Sequence, residues 1–320
     1  MSPVLSIVVP IYNEEANLPL LHDRLHAAAR QVTEDYEVIF VNDGSRDGSL
    51  GLLREMARRD PRNFFLSFSR NFGHQVAVMA GINHSRGSAT VTIDGDLQDP
   101  PELIPQLWEK YQQGCKVVYA QRKKRAGENR LRNLAIKVFY RILKKTTRIN
   151  IPVDTGDYRL MDRAVVEALR QMPEQHKFLR GQIAWVGFRQ APVFYDRDAR
   201  HAGKSNYGIG KLIKLALDGF TAFSNVPLRV ATVSGFIVSG IAFLLILWAL
   251  FSKLIQKNLI SGWTSLMVST LFIGGVQLIS IGVIGEYISR INSDVRRRPL
   301  YIIEEQVTAT STEPAGAEAS

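Results

Sequence analysis

The sequence predicts an α/β fold in which a mainly parallel sheet precedes two membrane-spanning helices. Residues 1–120 alternate short β-branched runs with segments of helical periodicity, a pattern typical of parallel strands joined by helical crossovers. Further along the chain, the ranges Val230–Phe251 and Leu259–Gly285 contain no charged residue. Each range is long enough for a helix that crosses ~30 Å of hydrocarbon, which argues against a wholly soluble protein.

The elements of residues 1–120 follow from these patterns in order. The predicted strands are Leu5–Pro10, Glu37–Val41, Phe64–Ser67, Ala89–Ile93 and Lys116–Ala120. The predicted helices are Glu15–Val32, Ser49–Arg59, Val76–His84 and Glu102–Gln113. Ligands of such sheets bind beyond the carboxyl ends of the strands. The polar segments that follow the strands are therefore the place to look for a site.

The remainder of the chain is basic and then apolar. We expect a basic amphipathic helix at Arg130–Thr147, a polar loop at Asp196–Asn206, a helix in the membrane interface at Tyr207–Phe223, and a disordered tail after Glu304. The corresponding domains are an N-terminal α/β domain (1–205), an interfacial helix (206–226), a two-helix transmembrane hairpin (227–290) and a tail with a disordered end (291–320).

Composition restricts the compartment and the partners. The chain has 320 residues, a net charge of +10 and one cysteine, Cys115, which excludes an intrachain disulfide and a cysteine-built metal site. Residues 1–10 lack the features of a signal peptide. Arginines outside the two apolar ranges place both termini in the cytoplasm. A basic surface beside membrane spans favours anionic lipids or phosphates over nucleic acid.

The segment Asp94-Gly95-Asp96 follows the fourth predicted strand. Two carboxylates placed together repel each other, and a hard divalent cation, Mg²⁺ or Mn²⁺, is the simplest compensation. Such ions usually keep positions open for substrate phosphates. The alternative is a solvated Asp-Gly turn, but the position at a strand end, with Gln98 and Asp99 close behind, favours the metal.

Two neighbouring strand ends carry further polar residues. Tyr12-Asn13-Glu14 follows the first strand and Asp43-Gly44-Ser45 the second. An aspartate at the end of the second strand can accept hydrogen bonds from a base or ribose. Helix capping is the alternative, and it explains Asp47 and Ser49 but leaves Asp43 without a role. The chain contains neither a Gly-x-Gly-x-x-Gly nor a Gly-Lys-Ser/Thr motif.

Taken together, four segments resemble family 2 glycosyltransferases. They are Val9-Pro10-Ile11-Tyr12-Asn13-Glu14, Val41-Asn42-Asp43-Gly44-Ser45, Asp94-Gly95-Asp96-Leu97-Gln98-Asp99-Pro100-Pro101 and Asp154-Thr155-Gly156-Asp157-Tyr158-Arg159. More narrowly, the chain resembles polyprenyl-phosphate glycosyltransferases, which include dolichol-phosphate mannose synthase relatives and bactoprenol glucosyltransferases. The resemblance covers about residues 5 to 300.

This resemblance implies a GT-A fold, with a Rossmann-like sheet, and transfer of a sugar with inversion from a nucleotide diphosphate sugar. By motif, the nucleotide would be held by Pro10, Tyr12, Glu14 and Asp43, and the metal and diphosphate by Asp94, Asp96 and Gln98. Asp157 would lie near the sugar and acceptor. The segment 200–207 resembles the family's mobile loop, with Arg200 and Lys204 as the residues that clamp the diphosphate. Arg70-Asn71-Phe72-Gly73-His74-Gln75 also belongs to the family pattern and is assigned no catalytic role.

The expected reaction moves a hexose, with glucose from UDP-glucose favoured, onto undecaprenyl phosphate at the cytoplasmic face of a bacterial inner membrane. The acceptor phosphate is already an oxyanion near neutral pH, since its second pKa is about 6, so a strong general base is unnecessary. The difficulty is to hold two anions together, for which arginines are suited. Arg122, Arg130 and Arg132 are the candidates for the lipid phosphate. Asp157 would orient the sugar or acceptor, or act as a base if the phosphate arrives protonated.

Several alternatives stay open from the sequence. The donor could be GDP-mannose or a UDP-amino sugar, and a non-catalytic membrane scaffold is a different class of function. A processive synthase and a nucleotidyltransferase are disfavoured because their signatures are absent. His74 and His201 are interpreted as ordinary surface residues. The pair Gly274-Gly275 would allow helix pairing in a homo-oligomer.

Overall fold

The fold is described from a computed structural model of the chain. It describes residues 3–122, 155–195 and 262–308, together with residue 228 and short helical runs between 231 and 248. The helices expected at Arg130–Thr147 and Tyr207–Phe223, and the loop expected at 196–206, lie outside the described residues. The candidate residues Arg130, Arg132, Arg200 and Lys204, and His201, lie outside them too.

An eight-stranded sheet organises the described part of the chain. The spatial order of the strands is β7-β5-β6-β4-β1-β2-β3-β8. Their bounds are Leu5–Ile11 (β1), Tyr36–Asn42 (β2), Asn63–Phe68 (β3), Ala89–Thr92 (β4), Val117–Arg122 (β5), Thr155–Asp162 (β6), Gln190–Tyr195 (β7) and Ile303–Val307 (β8). Strands β1 to β5 and β7 run in one direction, whereas β6 and β8 run antiparallel to their neighbours. The expected mainly parallel sheet is confirmed.

The helices of this domain pack on the sheet. Their bounds are Leu18–Arg30 (α1), Ser49–Arg59 (α2), His74–His84 (α3), Ile104–Gln112 (α4), Arg163–Arg170 (α5) and Leu179–Val186 (α6), with a 3₁₀ turn at Pro101–Leu103. Each of the four helices expected in residues 1–120 is present within about three residues of its predicted bounds. Helix α1 begins later than expected, at Leu18, with a proline in its first turn.

The core explains why the strands form as they do. Every residue of β1 and of β2 is buried, as expected for central strands covered by helices on both faces. The largest apolar cluster joins β1 and β2 to α1 and α4, and a second cluster packs α3 against α5 and α6. This packing fixes the strand ends from which the polar loops emerge.

Three strands, β6, β7 and β8, were not expected from the sequence. Strand β7 pairs parallel with β5 at one end of the sheet. Strand β6 lies between β4 and β5 and carries Asp157. In the sequence this segment is recognised as a motif, and neither a helix nor a strand is predicted for it. Strand β8 pairs antiparallel with β3, so the expectation of disorder after Glu304 is wrong for 305–307. Arg54 forms an ion pair with Glu305, and Tyr301 stacks on Phe68 with ring centroids 5.0 Å apart. These contacts hold the segment against the sheet edge.

A long helix, α7 (Trp263–Arg296), precedes β8. Within the described residues, one stretch, Phe272–Arg296, is long and apolar enough to cross a membrane. The described residues between 231 and 248 are helical, but a first span over the whole range 230–251 is not confirmed. The chain divides into two compact units, one of Met1–Lys144, Ile149–Gly208 and Arg298–Ser320, and one of Lys145–Arg148 and Ile209–Arg297.

Candidate active site

The loops after β1 and β2 are joined by hydrogen bonds at the carboxyl edge of the sheet. The Asn13 backbone N–H donates to the Ser45 hydroxyl at 2.9 Å, and the Arg46 backbone N–H donates to the Asn13 side chain at 2.8 Å. The Glu15 carboxylate accepts from the backbone N–H of Gly48. Asn13 has a φ of 57°, in the left-handed region that asparagine tolerates. Tyr12, which precedes Asn13 in the loop after β1, is 45% exposed and available to a ligand.

Asp43 ties the loop after β2 to the turn after β3. Its carboxylate accepts hydrogen bonds from the backbone N–H groups of Phe72, at 2.6 Å, and Gly73, at 3.0 Å. Burial raises the pKa of Asp43. The neighbouring Gly44 has a φ of 68°, and a Cβ at this position would lie 2.6 Å from the Arg70 carbonyl carbon. A residue other than glycine would therefore push the two loops apart.

The Asp94-Gly95-Asp96 loop lies against β1. A Cβ on Gly95 would come within 3.0 Å of the Pro10 carbonyl oxygen and within 2.8 Å of Ile11. The carboxylate of Asp96 accepts from the Gln98 backbone N–H at 3.2 Å. Burial, reinforced by nearby carboxylates, raises the pKa of Asp94 to about 6. The loop thus concentrates negative charge that a cation would relieve.

Asp157, near the start of β6, is surrounded by donors. The side chains of Gln75 and Arg180 donate to its carboxylate at 2.8 Å and 2.9 Å. A further guanidinium, that of Arg159, lies 3.8 Å from the same carboxylate. Burial opposes ionisation, but the charge of Arg180 and the hydrogen bonds from His74 and Arg180 hold the pKa of Asp157 well below its usual range. Asp157 is therefore an acceptor in this site.

His74 links the two acidic segments. Its Nε2 lies 3.5 Å from Asp94 Oδ1 and 3.3 Å from Asp157 Oδ2. Partial loss of solvation would lower its pKa, but the hydrogen bond with Asp157 and the charge of Asp94 raise the pKa of His74 to about 9. The reading of His74 as an ordinary surface residue is wrong in this respect, because its ring faces two carboxylates of the candidate site.

Arg122 ends β5 beside the same edge. Its Nε donates to the Tyr195 hydroxyl at 3.2 Å, and its Nη2 lies 3.9 Å from Asp99 Oδ1. Tyr195 in turn donates to Asp99. Asp99 is fully buried, whereas the Arg122 side chain keeps 20% of its surface exposed. Asp99 and Tyr195 therefore hold Arg122 in place while part of its side chain stays exposed.

The donor atoms at this edge suit a hard cation. Asp94 and Asp96 offer carboxylate oxygens, and Gln98 offers an amide oxygen, which are the ligand types preferred by Mg²⁺ and Mn²⁺. Within the part of the chain that is described, no three His, Cys, Asp or Glu groups converge in a metal-binding arrangement. That result is compatible with an ion held by one or two carboxylates together with substrate phosphates.

The described candidate residues all lie at the carboxyl edge of the sheet. His74 contacts both Asp94 and Asp157, and Asp96 is close enough to Asp94 to raise its pKa. Pro10 is buried at the end of β1, next to Gly95, whereas Glu14 accepts a hydrogen bond from Asn17 at the start of α1. Asp43 accepts from backbone groups of the turn before α3, so it joins two loops, a role that neither the ligand nor the helix-cap interpretation assigned to it.

Sequence reasoning missed four residues of this site. They are His74, Gln75, Arg180 and Tyr195, which contact Asp157 or Arg122. The first two lie in a segment whose family pattern was noticed but given no role. Arg180 and Tyr195 follow long separations along the chain, and no local pattern marks them.

Comparisons with known proteins identify the family of the chain. Residues 6–170 match the family described as Glycosyl transferase family 2, and residues 226–291 match the one described as GtrB C-terminal hairpin. The chain is 48% identical to the uncharacterized glycosyltransferase YkcC of Bacillus subtilis, over 93% of each chain. It is 43% identical to the SfII prophage-derived bactoprenol glucosyl transferase of Shigella flexneri, over 94% of this chain and 97% of that one.

Among solved structures, glucosyl-3-phosphoglycerate synthase from Mycobacterium tuberculosis is similar with a TM-score of 0.47 and 17% identity, over 68% of this chain and 76% of that one. The two matching relatives and the family match over residues 6–170 settle the classification. The chain therefore belongs to glycosyl transferase family 2.

Proposed function

We propose that the protein transfers a hexose from a nucleotide diphosphate sugar to a polyprenyl phosphate at a membrane surface. The observation that carries this proposal is the joining of Asp94, His74 and Asp157 at the carboxyl edge of a sheet of this family. The bactoprenol glucosyl transferase of Shigella flexneri, at 43% identity over 94% of this chain, supports the acceptor class. Glucose from UDP-glucose and undecaprenyl phosphate are the favoured pair.

The donor would occupy the loops after β1, β2 and β4. Tyr12, which is 45% exposed, is suited to contact the base, while Pro10, Glu14 and Asp43 shape the nucleotide pocket. Asp94, Asp96 and Gln98 would hold a divalent cation, Mg²⁺ or Mn²⁺, which when bound neutralises the leaving diphosphate. Arg200 and Lys204, outside the described residues, are proposed to clamp that diphosphate.

Asp157 would orient the substrates and does not need to remove a proton. Its carboxylate already accepts from Gln75 and Arg180, which keeps it ionised and fixed in position. The acceptor phosphate is an oxyanion near neutral pH, because its second pKa is about 6. A fixed carboxylate can hold a sugar hydroxyl and so orient the anomeric carbon for attack by the acceptor phosphate, with the diphosphate leaving from the opposite side. Orientation of this kind contributes strongly to rate.

The acceptor phosphate would meet Arg122. Its guanidinium is held by Tyr195 and lies 3.9 Å from Asp99, an arrangement that limits the entropy lost when it binds an anion. Arg130 and Arg132 are proposed as further phosphate contacts.

The apolar stretch Phe272–Arg296 supports attachment to a membrane. We propose two spans, with the catalytic domain (1–205) and both termini in the cytoplasm of a bacterium. The homo-oligomer suggested by Gly274-Gly275 stays a prediction.

A donor panel tests the proposal. Purified full-length protein in lipid nanodiscs is incubated with undecaprenyl phosphate and labelled UDP-glucose, GDP-mannose or a UDP-amino sugar, with and without Mn²⁺. We expect lipid-extractable label from one donor, with UDP-glucose the strongest. Transfer from none of these donors would contradict the enzyme function and favour a membrane scaffold.

A further inference from the structure

The turn between β3 and α3 joins two parts of the site that the sequence treats separately. The Asp43 carboxylate accepts from the backbone N–H groups of Phe72 and Gly73, which fixes the turn from the side of β2. Gly73 has a φ of 104°, a conformation that favours glycine. The next two side chains, His74 and Gln75, then reach Asp157 on the other side.

Gln75 secures this connection to a second helix. Its amide nitrogen donates to Asp157 at 2.8 Å, while its amide oxygen accepts from the Leu179 backbone N–H at 3.3 Å. Leu179 begins α6, and the next residue, Arg180, donates to Asp157. The Asp157 carbonyl also accepts from the Thr92 hydroxyl of β4. The carboxylate is therefore restrained by α3 and α6, and its backbone by β4.

His74 differs from Gln75 and Arg180 because it contacts both the Asp94 loop and Asp157. One nitrogen, Nε2, faces a carboxylate oxygen of Asp94 at 3.5 Å and one of Asp157 at 3.3 Å. With two acceptors in front of it, Nε2 must carry a proton whether the ring is neutral or charged. The His74 side chain is 45% exposed, so packing of the core does not explain its position.

We propose that His74 is a positioning residue whose Nε2–H bridges Asp94 and Asp157 and sets the spacing between the diphosphate-binding segment and the substrate-orienting carboxylate. This inference rests on the proposed function for the roles of the two aspartates. Its consequence is specific: loss of the bridge loosens Asp157 relative to the donor and lowers kcat, whereas the loops that bind the nucleotide stay intact.

Two amide variants, each of which can place a nitrogen near one of the two ring nitrogens, test the bridge. In His74→Gln, the amide nitrogen can occupy the position of Nε2, whereas in His74→Asn it reaches only the position of Nδ1. We expect H74N to lower kcat by about ten- to a hundredfold, with the KM for the nucleotide sugar and the Mn²⁺ Kd of the free protein, measured by electron paramagnetic resonance, within about twofold of wild type. H74Q should restore kcat to within about threefold. His84→Gln, at the other end of α3, is the matched control and should behave as wild type.

The same kinetic and Mn²⁺-binding measurements also define the results that would overturn the proposed His74 bridge. Equal kcat values for H74N, H74Q and wild type would overturn the proposal, and so would a loss of Mn²⁺ affinity that parallels kcat in H74N, since His74 would then belong to the cation site. Because the two variants have similar size and polarity, a general folding defect would affect both and would contradict the rescue expected of H74Q.

A readout that needs no activity separates this inference from the proposed function. In protein labelled with ¹⁵N-histidine, the His74 Nε2 resonance should move in both Asp94→Asn and Asp157→Asn, while the His84 resonance stays in place. A His74 resonance that ignores either substitution would overturn the bridge. If the resonance responds to both but wild type transfers no sugar, the bridge stands and the proposed function fails.

Discussion

The loops after β1 to β3 and the loops around β4 and β6 use carboxylates in opposite ways. In the first group, Asp43 and Glu15 accept from backbone N–H groups of neighbouring loops. In the second, Asp94 and Asp157 face His74, and Asp157 also faces Arg180. The first arrangement fixes the shape of a pocket, whereas the second concentrates charge where reacting groups can be held. An aspartate at a strand end is thus not by itself a sign of chemistry.

The largest effect should come from the acidic loop after β4. Asp96→Asn removes a charge from the candidate cation site, and we expect the rate of sugar transfer to fall by about a hundredfold or more, with an unchanged melting temperature. Transfer assays and thermal unfolding measure this. Asp23→Asn, at a side chain that is 82% exposed on α1, is the control and should retain full activity. Retained activity in D96N would remove the acidic loop from the mechanism.

Strand β6 offers a paired test of structure against function. Asp157→Asn leaves Arg180 without its charged partner and should cost about 3 kcal/mol of unfolding free energy, with a fall in kcat of about tenfold or more. Asp162→Asn, at the other end of β6, breaks the 2.9 Å ion pair with Lys116 but keeps a side-chain oxygen that can cap α5. It should lower stability and leave kcat unchanged. A similar fall of kcat in both variants would mean that Asp157 acts only through folding.

A glycine pair tests the junction of the loops after β2 and β3. Gly44→Ala forces a Cβ to within 2.6 Å of the Arg70 backbone at a positive φ, and should cost about 2 kcal/mol. Gly51→Ala, in α2, has no atom within 4 Å of the added Cβ and should be neutral or stabilising by up to ~1 kcal/mol. Chemical denaturation of both variants measures the difference. Equal stabilities would show that the two loops do not need this close approach.

The smallest expected effect is on the pH dependence of stability, and it comes from His26, which lies far from the acidic loops. His26 is buried, with its Nδ1 2.7 Å from the Tyr36 hydroxyl and its Nε2 2.9 Å from Asn63 Oδ1, and burial lowers its pKa below 6.5. Because the folded pKa lies below the unfolded one, this contribution to stability is present above pH 6.5 and is lost as the pH falls through the folded pKa. His26→Gln should flatten the pH dependence of unfolding between pH 7 and pH 5. An unchanged slope would contradict this assignment.

Sequence reasoning predicted the parallel part of the fold because local patterns specify it. Strands β1 to β5 are apolar runs bounded by polar turns, and their positions were predicted to within about two residues. Strand β6 was missed because it buries Asp157 and Arg159, charged residues that resemble a loop in sequence. Strand β8 was missed because its pairing with β3 joins segments more than 200 residues apart along the chain, which no local periodicity reveals.

The candidate site could be predicted only in part for the same reason. The motifs at the ends of β1, β2 and β4 are contiguous, and the fold brings them to one edge. His74 and Arg180 matter through their contacts with Asp157, which depend on the placement of α3 and α6. A single histidine or arginine in a helix carries no signal of such a contact. Three-dimensional proximity had to supply that information.

The most direct test of the account is the dependence of cation binding on the donor diphosphate. Because two carboxylates make an incomplete set of ligands, free protein should bind Mn²⁺ weakly, and UDP should tighten binding by about tenfold or more. Electron paramagnetic resonance titrations of wild type and Asp96→Asn, each with and without UDP, measure this directly. The account predicts that UDP strengthens Mn²⁺ binding in wild type and fails to do so in D96N. Equal Mn²⁺ affinity with and without UDP in wild type would contradict it.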